Sequence, residues 1–220
     1  MKRTVQACCF LLLATGWVLA QKNEVSLTIG PVFTTDQQLR IDSNLPGCPI
    51  QGCTALSTFH TTTSVAFGVA YARRLAIAGP VAVYVELPVF RQPGHDINVT
   101  TTNRSIGISG TGKTSAFFLT PSARIQFAPK ARISPWVTAG YGFTHINQDF
   151  SSSKRTKGAA QFGGGIDVKV LPHLALRGEV RDFWTGAMVQ DVSVATLTGG
   201  TALTSHLQHV YAGGGAVFRF

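Results

Sequence analysis

Charged side chains are scarce in this sequence: Asp, Glu, Lys and Arg make up 13% of its 220 residues, about half the roughly 25% usual in soluble domains. That shortage excludes a charged coiled coil. The 45% hydrophobic content likewise excludes a disordered chain. Long apolar runs are missing beyond the extreme N-terminus, which rules out a helical multispan membrane protein. No convincing run at helical period occurs elsewhere. Methionine appears twice and cysteine four times, whereas glycine appears 23 times. Something other than water is expected to face part of the surface.

Lys2 and Arg3 precede the apolar stretch Ala7 to Leu13, which continues through Trp17 to Ala20. This is the layout of a secretory signal peptide with Val18 and Ala20 at the small-residue positions, so residues 1–20 are expected to be cleaved and residues 21–220 to fold. Cys8 and Cys9 leave with the signal. The remaining Cys48 and Cys53 lie in a Pro- and Gly-containing segment, and an exported chain makes their disulfide the default expectation. A zinc site would need two further ligands, with His60 the nearby candidate. The net charge of +9 is spread singly along the chain. Nucleic acid is therefore not the expected partner, whereas lipopolysaccharide or another acidic surface is.

The rest alternates Val, Phe, Thr, Tyr and Gly at period two, predicting an all-β protein. Eight strands are expected: Val25 to Phe33, Thr62 to Leu75, Val81 to Phe90, Ser115 to Ala128, Pro135 to Asn147, Ala159 to Val170, Leu174 to Trp184 and Gln208 to Phe220. Tight connections follow the second, fourth and sixth. The other connections, Thr34 to Thr61, Arg91 to Thr114, Gln148 to Gly158 and Thr185 to Leu207, are long and rich in Thr, Ser, Gly and Asn. Strict alternation of short and long puts every long loop at one end, the asymmetry of an eight-stranded antiparallel up-and-down transmembrane β-barrel.

One face of these strands is apolar (Val83, Val85, Leu87; Ile125, Phe127; Phe162, Ile166; Leu176, Val180). The opposite face carries Gly, Ala, Ser and Thr with isolated charges, as the cramped inside of a small barrel requires. That inward set holds Arg124, Lys169, Arg177, Arg181 and Arg219 against Glu86, Asp167 and Glu179. These residues are expected to pair as a polar plug, with a positive surplus that would make any leak favour anions.

The closing segment ends Gly215-Ala216-Val217-Phe218-Arg219-Phe220. Here the chain resembles the OmpA/OmpX-like family of small outer-membrane β-barrels, whose terminal Gly-x-x-aromatic-x-aromatic pattern serves as the signal read by the barrel-insertion machinery. The resemblance maps that role onto Gly215, Phe218 and Phe220, although Gly213 stands where a polar residue is expected. Phe162 to Asp167, leading through Pro172-His173 into Arg177 to Phe183, is also similar to the sixth and seventh strands of such domains. The resemblance implies a monomer in the bacterial outer membrane, in contact with its lipid.

Gly107 to Thr114 matches the phosphate-loop pattern G-x-x-x-x-G-K-[ST] letter for letter. It lacks the strand before and helix after that would cradle a phosphate, so it reads as a flexible loop. His60, His95, His145, His206 and His209 lie near the long-loop end among serines and Asp96, Asp149 and Asp191, yet no hydrolase motif surrounds them. His206 and His209 point to opposite faces of a strand and make a poor metal pair. The expectation is a non-enzymatic protein without cofactor or metal, structural or surface-interacting through its long loops. A narrow solute channel is the alternative, followed by a lipid-modifying enzyme or a soluble lipocalin-like binder.

Overall fold

A computed structural model describes residues 22–43, 53–103, 106–148, 155–186, 200–202 and 206–220. The expected signal segment and Cys48 lie outside them. The strands are β1 (Asn23–Thr34), β2 (Gln37–Ser43), β3 (Cys53–Thr61), β4 (Ser64–Ala78), β5 (Val81–Asn103), β6 (Ile106–Leu119), β7 (Ser122–Phe127), β8 (Ile133–Gln148), β9 (Arg155–Leu171), β10 (Leu174–Gly186), β11 (Gly200–Ala202) and β12 (His206–Arg219). Every pairing is antiparallel. Because β1 pairs β4 on one side and β12 on the other, the sheet closes on itself and leaves the barrel no edge.

Eight staves make the barrel: β1, β4, β5, β6 with β7, β8, β9, β10 and β12. Leu119 faces Phe143 and Ser122 faces Gly140, so β6 and β7 keep one register across Thr120 and Pro121. Only the ladder is interrupted, because proline brings no N–H. The tight turns and the paired ends Glu24 and Arg219 share one end; Gly79, at φ 58°, makes the first turn.

Period-two alternation sorts the side chains as the residue pattern dictates. Leu27, Ile29, Val69, Val85, Leu87, Ile166, Leu176 and Val180 are each roughly half exposed, forming a belt around the outside. A soluble monomer rarely shows an apolar patch beyond a few hundred Å², so the solvent of this belt is lipid. Phe33, Phe67, Tyr141, Phe143 and Trp184 rim it toward the long connections, and Phe127, Phe218 and Phe220 toward the turns, in the positions of aromatic girdles.

The long connections differ from expectation. The segment Arg91 to Thr114 is not a loop: β5 and β6 stay paired from Val89 and Leu119 out to Asn103 and Ile106. Gly107 to Thr114 is thereby a paired strand, neither phosphate cradle nor flexible loop. A register shift between Gln92 and His95 bends β5 at Pro93 and Gly94, where it leaves the barrel. Within Thr34 to Thr61, β2 and β3 form a hairpin that adds to the outer half of β5, and β11 adds to β2. Threonine-rich segments signal loops when read alone but suit strands once a partner edge exists. At 23 residues β5 is about twice the 9–11 that cross a bilayer, so its outer half stands beyond the lipid.

Candidate functional site: the barrel lumen

Inside the turn-proximal half, four arginines meet four carboxylates. Arg124 pairs with Glu24 and, at 3.7 Å, Glu86. Arg177 reaches Asp167 at 2.8 Å and Glu24 at 3.1 Å, while Arg219 reaches Asp167 at 2.7 Å and Glu24 at 3.3 Å. Arg181 bonds Glu86 at 2.5 Å and Glu179 at 2.9 Å, and Thr28 donates to Glu179 at 3.0 Å. These groups come from β1, β5, β7, β9, β10 and β12, so the network ties staves from all around the barrel. Burying an ion costs several kcal/mol unless partners compensate, and each ion here has at least one.

Trp136 sits at the centre of this layer. Its indole N–H donates to Asp167 at 3.2 Å, and the guanidinium carbons of Arg177, Arg181 and Arg124 lie 4.9, 5.3 and 5.6 Å from its ring centre. Arg124 also stands 4.4 Å over Tyr84. Such cation–π contacts strengthen when water is excluded. Room for the indole comes from Gly165, its cross-strand partner, and room for Arg181 from Gly163.

Above the ions the lumen turns apolar. Phe90 packs edge-on against Phe183 and Tyr211, with ring centres 5.3 and 4.9 Å apart, and Phe118 lies 4.7 Å from Phe183. Val32, Ala66, Ala116, Ile146 and Leu207 complete this cluster. Arg181 joins the two layers by standing 5.2 Å over Phe90. The sequence reading placed small polar residues along this face and so missed an aromatic stopper. The signal was present in Phe90, Phe118, Phe183 and Tyr211, all on inward parity.

The expected lumen residues fall out unevenly. Glu86, Arg124, Asp167, Arg177, Glu179, Arg181 and Arg219 share the ionic layer. Lys169 does not: it lies half-buried at the turns, where its Nζ donates to the Pro129 carbonyl at 2.7 Å. Glu24 falls outside the expected first strand, which starts at Val25, two residues after β1 begins at Asn23. Removing Lys169 and adding Glu24 leaves four charges of each sign, which corrects the expected positive surplus and removes the ground for anion preference.

Gly215 lies at the closing seam, where a side chain would collide with the Leu27 carbonyl. Phe218 and Phe220 point outward with ring centres 6.0 Å apart. Cys53 opens β3 opposite Ser43. At the long-connection end His60 Nδ1 lies 2.7 Å from Asp36 Oδ2, both exposed.

No known family model matches the chain, and no curated protein does. Among solved structures, the outer membrane protein OprG from Pseudomonas aeruginosa is similar with a TM-score of 0.52 at 12% identity, covering 91% of this chain and 97% of that one. The Neisserial surface protein A gives 0.45 at 10% identity, covering 92% and 99%. The Escherichia coli outer membrane protease OmpT gives 0.45 at 6% identity, covering 94% and 100%. The likeness to OprG is one of fold, and it agrees with the closed antiparallel circuit of strands. The chain folds as an eight-stranded antiparallel up-and-down β-barrel, the fold seen in outer membrane proteins such as OprG.

Proposed function

We propose that this protein is a non-enzymatic barrel of the bacterial outer membrane, with an envelope-structural or surface-interaction role carried by its strands beyond the lipid. The observation that supports this best is the filling of the lumen by two successive layers, one ionic and one aromatic, beneath a sheet that projects outward. A barrel built for solute passage would leave a path; here the inside is packed as a core and the outer surface is extended. The barrel-insertion machinery would assemble it through Gly215, Phe218 and Phe220, and lipopolysaccharide would surround its outer half.

The reading is tested by replacing residues 36–62 and 95–113 with short turns. The trimmed barrel should still fold, seen as a shift in gel mobility on heating, while binding of whole cells to host-matrix or glycan surfaces should fall to the level of cells lacking the protein. Unchanged binding together with unchanged detergent resistance of the envelope would overturn both roles. Large, steady conductance of the purified wild-type protein in a planar bilayer would favour the channel instead.

A further inference from the structure

Below the ionic layer, a pocket of about 230 Å³ opens at the turn end, walled by Lys22, Arg74, Lys169 and Arg219 with Asn23, Glu24 and Tyr84. Glu24 is the single carboxylate in this wall, and it is already shared among Arg124, Arg177 and Arg219. Lys22 and Arg74 make no side-chain hydrogen bond or ion pair with any described residue. The Tyr84 hydroxyl makes none either, although the residue is 5% exposed. Asn23 accepts from Tyr71 through its Oδ1 at 2.9 Å, which leaves its amide N–H groups as donors.

The wall therefore offers ammonium, guanidinium, phenol and amide donors, while its one carboxylate, the Asn23 Oδ1 and the Pro129 carbonyl are already engaged by Arg124, Arg177 and Arg219, by Tyr71 and by Lys169. A ligand matching that set must accept hydrogen bonds and carry negative charge. Like charges brought together at a low-dielectric rim repel one another, and an anion seated among them relieves that repulsion. The volume is several times the roughly 30 Å³ share of one water, enough for a phosphate and part of the group it is esterified to. Passage further inward is blocked by the arginine–carboxylate layer, so the pocket is a seat and not a vestibule. Phe218 and Phe220 mark the lipid boundary on the same end, which puts the mouth within reach of both dissolved anions and headgroups.

We infer that the turn-end mouth is an oxyanion site for phosphate-type groups, free or borne by a lipid headgroup. The reading is independent of the role assigned to the outer strands. Two probes separate the sources: inorganic phosphate titrated calorimetrically into the full-length protein in uncharged micelles at low ionic strength, and phosphatidylglycerol in phosphatidylcholine nanodiscs, scored by native mass spectrometry. Arg74→Gln and Lys169→Gln should each weaken the bound probe about tenfold, the loss of one charge-assisted hydrogen bond. Arg132→Gln, at the same end but outside the wall, should change it little, and heat-shifted gel mobility reports that each variant is folded. Saturable phosphate binding without lipid retention identifies a free anion; phosphatidylglycerol retention without phosphate binding identifies a headgroup. Binding of neither probe, or binding equal in wild type and both pocket variants, overturns the site.

Discussion

Trp136 and Gly165 stand opposite one another across β8 and β9, and a side chain at position 165 would collide with the Gly178 carbonyl and with the indole. Gly165→Ala should push the ring off Asp167 and the three arginines around it. Overpacking of this kind costs about 1–3 kcal/mol. The expected outcome is a lower unfolding midpoint in denaturant and a shifted Trp emission; a variant with both unchanged would show that a methyl group at 165 is accommodated without moving the ring.

Glu24 compensates three arginines, whereas Glu179 compensates Arg181 and receives a hydrogen bond from Thr28. Breaking a buried pair costs about 3–5 kcal/mol, and Glu24→Gln, which leaves three arginines short of a partner, should destabilise the barrel more than Glu179→Gln. Side-by-side urea titrations of the folded fraction measure the difference. Equal losses would mean that the arginines re-pair with the remaining carboxylates.

The two layers in the lumen act as barriers in series. Wild-type protein in a planar bilayer should conduct little, Glu179→Gln should loosen only the lower layer, and Phe183→Ala only the upper. Sustained current is expected from the double variant. With four charges of each sign in the wild-type layer, ion selectivity should be weak before substitution. A single variant that conducts as well as the double would show that one layer alone closes the lumen.

Phe218 and Phe220 face outward at the end of the closing strand, where the proposed assembly signal lies. Deletion of Phe220 should lower the yield of membrane-inserted barrel while export stays intact. Fractionation with immunoblotting decides this, and equal insertion of the shortened chain would remove the signal role.

The expected Cys48–Cys53 disulfide would link the start of β3 to the segment joining it to β2. Such a small loop, outside the barrel, should contribute little to barrel stability even though disulfides often add about 2–4 kcal/mol. Reduction should leave the heat-shifted gel mobility as it is. Intact-mass measurement after thiol alkylation checks the bond, and two alkylated thiols in protein purified without reductant would exclude it.

What the sequence by itself determined was the choice of face. Alternation is a property of neighbours along one strand, so Val83, Val85 and Leu87 outward and Glu86 inward follow from period two alone, as does the even strand count from the spacing of turns. Closure decided which inward groups meet. Glu24 and Arg124 are 100 residues apart and Glu24 and Arg219 are 195 apart, and no local pattern measures a distance across a lumen. The missing Glu24 at a strand end, the Lys169 diverted to a turn carbonyl, and the aromatic stopper all depend on that closure. The outer strands show the same division: β2, β3 and the far halves of β5 and β6 are short or polar segments, threonine-rich in β3 and β5, with little core to bury. They become strands because the barrel beneath offers paired edges on which their backbone hydrogen bonds can be satisfied.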